Sequence, residues 1–382
     1  MKVLFISDHF TSINGAFGLS KAHLDVIKNI VGDDNVFLVS IGQIIFKESV
    51  NSIYEFEPYN SKLSKMCNIF TLNYPNMNNT IIAECVNLVL KNQVDLVFVD
   101  ESYFGKLVKA IKNNTQAIVM SFYHDVKANL FRQWIKEERK KRIPEFISGL
   151  INEKWTVKYS DYNIVLNNRE SDTFFKYYNK RPDFEIPIIL KSPRELQERK
   201  NSRKLLKLGF IGAYYYPNVK GIEWFCKNVM TSLVGIAELY VAGKNMEQLK
   251  VQFEAISNNI FVLGKVEELS DFYSNVDVVV APIFEGAGMK VKTAEAFSYG
   301  KPFIGTTESL VGYIENVKHD NLDGYVRLCN NKDEFISSIE SLAKLVRFNY
   351  YGTIKKHFES HYSYESAKRI LKPFIEKISD HI

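Results

Sequence analysis

A stretch rich in glycine and lysine lies between two strongly apolar runs of this sequence. Residues 282–307 read PIFEGAGMKVKTAEAFSYGKPFIGTT, and Gly286 and Gly288 come just before Lys290 and Lys292. Glycines let the backbone amides of a loop approach an anion at the start of a helix, and lysines add charge-assisted hydrogen bonds. The stretch therefore predicts a phosphate site.

Two glutamates accompany these glycines and lysines. Glu295 lies about one turn into a helix predicted for Val291–Tyr299, which Gly300 ends. A carboxylate there can accept two hydrogen bonds from a vicinal diol such as a ribose, or it is simply a solvated helix glutamate. Glu285 stands at the start of the loop, where it either contacts the ligand or neutralises nearby lysines.

A second glycine-bearing loop precedes this stretch in the chain. Residues 209–221 read GFIGAYYYPNVKG, which does not meet the GxGxxG dinucleotide pattern. The loop follows a predicted strand and precedes a predicted helix, so we expect it at the same sheet edge as residues 282–307. Lys220 then converges with Lys290 and Lys292 on a pyrophosphate, unless all three are ordinary surface lysines.

The elements that position both loops are short apolar runs of the kind that is buried on both faces in parallel sheets. Val276–Pro282 and Lys301–Thr306 flank the glycine-rich stretch, and similar runs recur at helix-length intervals. This alternation predicts an α/β fold of two tandem Rossmann-like domains with an interdomain cleft. The other strand candidates are Lys2–Ser7, Val36–Ile41, Val94–Asp100, Ala117–Phe122, Asn163–Leu166, Glu185–Leu190, Leu205–Ile211, Ala237–Ala242 and Ile260–Leu263.

A charged segment with few apolar residues separates the two halves. Residues 191–204 read KSPRELQERKNSRK, which is typical of a solvated linker. We therefore predict an N-terminal domain over residues 1–190 and a C-terminal domain over residues 205–363. A final helical segment, residues 364–382, is a candidate to pack back on the N-terminal domain.

The N-terminal half contributes two further groups of candidate residues. His124 and Asp125, in SFYHDV, follow a predicted buried strand, and Gly15 and Gly18, in SINGAFGLS, belong to a predicted loop before the first helix. Both groups are expected to open toward the cleft. A histidine at the carboxyl end of a strand in an α/β domain favours a functional role over a structural one.

The composition limits the classes of protein to consider. The 382 residues are 46% hydrophobic, enough for two cores, and a net charge of +5 is too small to indicate a nucleic-acid partner. Four dispersed cysteines match neither a zinc ribbon nor a disulfide framework, and no apolar run approaches the roughly 18 residues of a membrane span. We expect a cytoplasmic globular protein.

One basic segment suggests a surface contact. Residues 127–142 read KANLFRQWIKEERKKR, with seven Lys and Arg against two Glu and with apolar residues interleaved. The segment is either an amphipathic helix that makes a peripheral contact with anionic lipid, or a solvated basic face.

Motifs of several other chemistries are missing from the sequence. It contains no GxSxG, CxxC, HExxH or GxxxxGK[ST]. His357 and His361 have the i, i+4 spacing of helical metal ligands, but no third ligand is evident. We therefore expect neither a metal site nor a cofactor.

The C-terminal half resembles the nucleotide-sugar domain of GT-B glycosyltransferases, in particular the retaining group of family 4. The resemblance rests on GFIGAYYYPNVKGIEWF, on VLGKVEELSDFYSNVDVVVAPIFEGAGMKVKTAEAFSYGKPFIGTT, and on the strand-end histidine in SFYHD. It covers the C-terminal half closely and the N-terminal half in outline. GT-A enzymes need a DxD motif to hold a metal, and no two aspartates here stand two positions apart.

The resemblance implies a role for each candidate residue of the C-terminal half. Glu295 would hold the ribose hydroxyls, and Lys220 and Lys290 would meet the diphosphate. Val266, in LGKVEE, would offer backbone contacts to the base. Ala213 stands where the family often has an arginine, whose charge Lys290 or Lys292 would replace.

The same resemblance extends to three other positions. Residues Gly15 to Gly18 would form the flexible loop that closes over the diphosphate, and His124 would touch the donor sugar. Glu285 and Glu295 stand ten positions apart (295 minus 285), as in a subgroup with a longer GxGxKxK loop, whereas the usual spacing is eight.

We therefore predict a retaining, metal-independent glycosyltransferase. It would move a sugar from a nucleoside-diphosphate sugar, with UDP favoured, to a glycan, lipid-linked or protein acceptor in cell-surface polysaccharide or glycoconjugate synthesis. Two alternatives remain: a catalytically silent GT-B subunit that stabilises a partner transferase, and a UDP-sugar 2-epimerase. The sequence does not indicate an oligomeric state.

Overall fold

The computed structural model describes residues 1–11, 15–57, 61–73, 77–136, 143–193, 205–286, 288–345 and 351–379. They form two compact units. The N-terminal unit comprises Met1–Ile189 together with Tyr364–Ile382, and the C-terminal unit comprises Leu190–Ser363. Most of the predicted linker, the end of the basic segment, residues 12–14 of the first glycine loop and Ala287 lie outside the described residues.

The N-terminal unit is built on a seven-stranded sheet in the order β3-β2-β1-β4-β5-β6-β7, with every pairing parallel. Every residue of β1 and β2 is buried, as expected for strands covered on both faces. The strands are β1 (Val3–Ser7), β2 (Val36–Ile41), β3 (Ser52–Phe56), β4 (Leu96–Val99), β5 (Ile118–Tyr123), β6 (Tyr162–Val165) and β7 (Phe184–Glu185).

Helices connect these strands. Two of them begin at asparagine caps: the side chain of Asn78 accepts from the amide of Ile81, and that of Asn167 accepts from the amide of Glu170. The helices are α1 (Gly15–Val31), α2 (Lys62–Phe70), α3 (Asn79–Asn92), α4 (Gly105–Asn114), α5 (Lys127–Lys136), α6 (Ile143–Tyr159) and α7 (Asn168–Tyr178).

The C-terminal unit has a six-stranded sheet in the order β10-β9-β8-β11-β12-β13, again with parallel pairings. The strands are β8 (Leu206–Ile211), β9 (Ala237–Ala242), β10 (Ile260–Gly264), β11 (Val278–Ala281), β12 (Phe303–Gly305) and β13 (Val326–Leu328). The helices are α8 (Tyr216–Asn228), α9 (Lys250–Glu254), α10 (Leu269–Asn275), α11 (Val291–Ser298), α12 (Ile314–His319), α13 (Lys332–Leu345) and α14 (Tyr351–His361).

The last helix, α15 (Tyr364–Ser379), belongs to the N-terminal unit. Its buried residues Ala367, Leu371, Ile375 and Ile378 recur at helical spacing and so form one apolar face. The hydroxyl of Tyr364 donates to Asp25 Oδ2 of α1 at 3.2 Å. The chain therefore ends on the unit in which it begins.

The two parallel sheets confirm the predicted α/β fold, but several elements differ in detail. Strand β7 is shorter than the predicted Glu185–Leu190, because Pro187 has no amide hydrogen to donate to a ladder. Helix α8 begins at Tyr216, within the loop predicted for residues 209–221, with a proline in its first turn, where a missing amide hydrogen costs nothing. Strands β3 and β13 were not predicted.

Across the described residues, no helix is long and apolar enough to cross a membrane.

Candidate active site

Two loops of the C-terminal unit lie at the carboxyl ends of adjacent strands. The β8 loop, residues 212–215, follows β8, and the β11 loop, residues 282–290, follows β11. From β8 the chain continues to β9 on one side, whereas β11 and β12 lie on the other side. Ligands of open α/β sheets bind at such switch points, because the two loops diverge there and leave a crevice.

Glycines allow the backbones near this switch point to come close together. A Cβ atom on Gly221 would lie 2.0 Å from the carbonyl oxygen of Pro282, and one on Gly212 would lie 2.7 Å from Lys292 Nζ. Gly286 and Gly288 have φ angles of 145° and 63°, which side chains rarely permit. The glycines of both loops are thus required by this geometry.

Lys292, in the first turn of α11, connects this helix with the neighbouring β8 and α8. Its amine donates to Asn218 Oδ1 at 2.8 Å and lies 4.3 Å from the ring centroid of Phe210, at the end of β8. Burial of the amine lowers the pKa of Lys292 to about 7, and the attraction of Glu295 offsets only part of this effect. A large fraction of these amines is therefore neutral near pH 7 in the free protein, and an anion placed beside the amine would recharge it.

Glu295 lies one turn into α11, as predicted. The hydroxyl of Tyr273 donates to Glu295 Oε2 at 3.3 Å, and the Tyr273 ring stacks on Tyr299 with centroids 4.3 Å apart. Burial raises the pKa of Glu295, although Lys292 and the Tyr273 hydrogen bond act in the opposite direction. The carboxyl group is thus held in one place, with an oxygen available for a ligand.

The other two lysines point elsewhere. Lys220 Nζ lies 3.1 Å from Glu285 Oε1, and both side chains are about half exposed. Lys290 Nζ donates to Glu308 Oε1 at 2.7 Å and to the carbonyl oxygen of Gly288 at 2.9 Å. The structure thus brings Lys292 against the β8 loop and pairs Lys220 with Glu285, but it does not gather the three amines at one point. Val266 follows β10 and is half-buried.

A polar cluster occupies the corresponding switch point of the N-terminal unit, between β1 and β4. We call His9, His23, Asp100, Glu101 and His124 the N-terminal polar cluster. His124 Nε2 lies 3.4 Å from Asp100 Oδ2, and His23 Nδ1 lies 2.9 Å from Asp100 Oδ1. His9 Nε2 lies 3.1 Å from Glu101 Oε2, and the rings of His9 and His124 are 4.5 Å apart. His124 is thus one of three neighbouring imidazoles.

Charge in this cluster is balanced internally. Burial by itself lowers the pKa of His9, but the hydrogen bond with Glu101 and nearby carboxylate charges raise it to about 9. Burial raises the pKa of Asp100, yet the charge of His124 and its neighbours holds it well below the usual range. The cluster therefore combines one cationic donor, His9, with the carboxylates of Asp100 and Glu101, whereas burial lowers the pKa of His23; such a set can bind hydroxyl groups.

Sequence reasoning singled out only His124 of this cluster. The missed signal was VFVDES, in which Asp100 and Glu101 directly follow a buried strand. The expected loop at Gly15 and Gly18 needs correction, because α1 already begins at Gly15 and both glycines lie in its first turn. A helix start leaves backbone amide hydrogens free of intrahelical partners, which is where an anion binds.

Comparison with known proteins relates the C-terminal unit to a family. Residues 206–344 match the family described as Glycosyl transferases group 1. No curated protein sequence matches the chain significantly.

Solved structures with the same fold span the whole chain. Sucrose-phosphate synthase from Thermosynechococcus elongatus is 12% identical with a TM-score of 0.72, and 100% of each chain is covered. WaaG, "a glycosyltransferase involved in lipopolysaccharide biosynthesis", is 16% identical with a TM-score of 0.66, over 96% of this chain and 99% of WaaG. HepE from Anabaena in complex with UDP-glucose is 12% identical with a TM-score of 0.68, over 99% and 100%. The resemblance predicted for the C-terminal half is confirmed: residues 206–344 match the group 1 glycosyl transferases, and the whole chain has a GT-B-like fold.

Proposed function

We propose that this glycosyltransferase transfers a sugar from a UDP-sugar to a glycan, lipid-linked or protein acceptor in the synthesis of a cell-surface polysaccharide or glycoconjugate. The observation that carries the donor is the position of Lys292, which lies in the first turn of α11 directly after the β11 loop, donates to Asn218 of α8 and stands next to Glu295. HepE is named as a complex with UDP-glucose, which supports a UDP-sugar as the donor. WaaG is named as an enzyme of lipopolysaccharide biosynthesis, which supports a role in the synthesis of a cell-surface glycan.

In this proposal the C-terminal unit holds the donor. Glu295 accepts hydrogen bonds from the ribose, and the backbone after β10 at Val266 contacts the base. The diphosphate lies against the glycines of the β11 loop beside Lys292, and Lys220 and Lys290 add their charges once they leave Glu285 and Glu308. Preorganised cations of this kind stabilise the charge that develops on a leaving diphosphate.

The N-terminal unit in turn holds the acceptor. His124 contacts the donor sugar, and the start of α1 at Gly15 and Gly18 contributes backbone amides to the diphosphate. Glu285 is released from Lys220 when the diphosphate binds and becomes available to the donor sugar. This exchange costs little because the ion pair is exposed to solvent, which screens the attraction between the two charges.

Transfer proceeds with retention and without a divalent ion. In a one-step retaining transfer, the acceptor oxygen attacks from the face that the diphosphate leaves, and a diphosphate oxygen takes the acceptor's proton. No protein carboxylate then has to act as the base, and lysines replace a metal in balancing the diphosphate.

A peripheral membrane contact through residues 127–142 remains part of the proposal, in modified form. Phe131 is buried and stacks on Phe146 with centroids 5.0 Å apart, so this aromatic ring belongs to the core and is not available to lipid. Lys127 Nζ lies 3.7 Å from buried Glu101. The contact would therefore be mainly electrostatic, at the cytoplasmic face. All four cysteines are free thiols, in keeping with a reducing compartment.

The decisive experiment is a donor screen with purified protein. Thermal shift with UDP-, GDP- and ADP-sugars should single out UDP-sugars, since a ligand at about 100 times its Kd adds roughly 2.7 kcal/mol of stability. Slow hydrolysis of the same UDP-sugar would then show that the protein cleaves the bond between the sugar and the diphosphate. NMR of the released sugar reports whether its anomeric configuration is retained or inverted. Binding without hydrolysis or transfer would favour a silent subunit, and conversion of the free UDP-sugar into its 2-epimer would contradict a transferase.

A further inference from the structure

Three side chains converge in the C-terminal unit, away from the two switch-point loops in sequence. Asp320 directly follows α12, and His357 and His361 stand one turn apart on α14. His357 Nδ1 and His361 Nε2 lie 2.6 Å and 2.9 Å from the same oxygen, Asp320 Oδ2. The three ligand atoms all lie within 4.8 Å of one another.

We propose that Asp320, His357 and His361 form a structural binding site for a divalent transition-metal ion of the zinc class. Two imidazoles and one carboxylate are a set of protein ligands that zinc accepts, with water in the fourth position. Histidines at i and i+4 present their rings on one helical face, which is the spacing of helical zinc ligands. The spacing was evident from the sequence, but the third ligand lies 37 residues before His357.

Distances and burial fit this assignment. Ligand atoms about 2.0–2.1 Å from a tetrahedral ion are roughly 3.3 Å apart, so both histidines need to move from Asp320 by only about 0.4–0.7 Å. The Asp320 and His361 side chains are 25% and 23% exposed, which leaves a route for the ion, whereas His357 is 2% exposed. Among the described residues, buried His357 Nε2 has no hydrogen-bond partner.

The surroundings of the His357 ring indicate the purpose of the site. The nitrogen that faces Asp320, Nδ1, would bind the ion, and the buried Nε2 would keep its proton. The His357 ring also packs on Phe297 of α11, with centroids 5.3 Å apart. An ion at this site would therefore fasten α12 and α14 to each other and support the helix that carries Glu295.

The chain offers a matched control. His319 precedes Asp320, is 81% exposed in its side chain, and contacts the other oxygen, Asp320 Oδ1, at 2.8 Å. His319→Gln therefore makes the same chemical change as His361→Gln, next to the site but outside the three ligand atoms. His361 is preferred to buried His357 as the test position because its replacement leaves the core intact.

The test uses metal-stripped full-length protein, first titrated with Co²⁺ and then with Zn²⁺ in competition. We expect about one equivalent of Co²⁺ with the visible absorption of a four-coordinate ion, displaced by Zn²⁺, and a higher melting temperature with Zn²⁺. His361→Gln and Asp320→Asn remove a ligand and should weaken binding at least tenfold while keeping the circular dichroism of the wild type. His319→Gln removes only an exposed hydrogen bond to Asp320 Oδ1 and should weaken binding clearly less than His361→Gln does.

Three results would overturn the proposal. One is a spectrum without a four-coordinate cobalt signature. Another is equal loss in His319→Gln and His361→Gln, which would mean binding by surface histidines. The last is full binding by both His361→Gln and Asp320→Asn, which would place the ion at the other histidine and carboxylate group, Asp8, His9 and Glu101.

Discussion

Binding of UDP should draw a proton from solution onto Lys292. Its pKa in the free protein is about 7, because burial removes the amine from water. A diphosphate beside the amine favours the charged form and should return the pKa toward its ordinary value near 10.4. The proton uptake can therefore be measured by adding UDP to the protein at a pH above 7.

The magnitude follows from these two pKa values. At pH 8 about one amine in ten is protonated before binding and nearly all are protonated afterwards, so uptake should approach 0.9 proton per UDP. At pH 6 about nine in ten are already protonated, so the uptake by Lys292 itself should fall to about 0.1. The last ionisation of a phosphate group, with a pKa of about 6, is essentially complete at pH 8 and adds no uptake there.

Isothermal titration calorimetry in buffers with different ionisation enthalpies, such as phosphate and Tris, measures this uptake directly. Lys292→Arg is the matched variant, because its guanidinium stays charged and should bind UDP without uptake. Lys290→Arg serves as the control and should keep the wild-type uptake. Tight UDP binding with less than about 0.2 proton taken up at pH 8, or equal uptake in Lys292→Arg, would refute the reasoning.

Four further outcomes are expected. Glu295→Ala should keep the melting temperature of the wild type but weaken UDP binding by about 1.5–3 kcal/mol, because a charge-assisted pair of hydrogen bonds is lost; unchanged affinity by calorimetry would remove Glu295 from the ribose. His124→Ala should lower kcat more than it raises the donor KM if the contact tightens in the transition state, whereas a change in KM alone would indicate ground-state binding. The product should keep the anomeric configuration of the donor by NMR, with a rate that added Mg²⁺ or Mn²⁺ leaves unchanged; inversion or a strict requirement for either ion would contradict the mechanism. Finally, the pKa of Lys292 is lower in the folded than in the unfolded chain, so the unfolded chain binds more protons between about pH 7 and 10. Lys292 therefore makes the free energy of unfolding rise with pH in that range. Urea unfolding should show a smaller rise for Lys292→Met, and an identical pH profile for this variant and the wild type would argue against a perturbed amine.

The sequence by itself determined the elements whose physics is local. Strands β2 and β9 have the predicted bounds, Val36–Ile41 and Ala237–Ala242, because runs of this length with few polar residues suit strands covered on both faces. The glycines of residues 282–307 also indicated a tight backbone conformation, and Gly286, Gly288 and Gly300 all have positive φ angles in the structure. The edge strand β3 was not predicted, because its residues are only half-buried or exposed and form no apolar run.

Only the tertiary structure decided which polar groups meet. Lys290 and Lys292 are two positions apart, yet one amine pairs with Glu308 and the other with Asn218. Asp320 reaches histidines that follow it by 37 and 41 positions. Such partners, and the pKa values that depend on them, follow from where distant segments pack and from how much water they exclude, and neither is encoded in a short window of sequence.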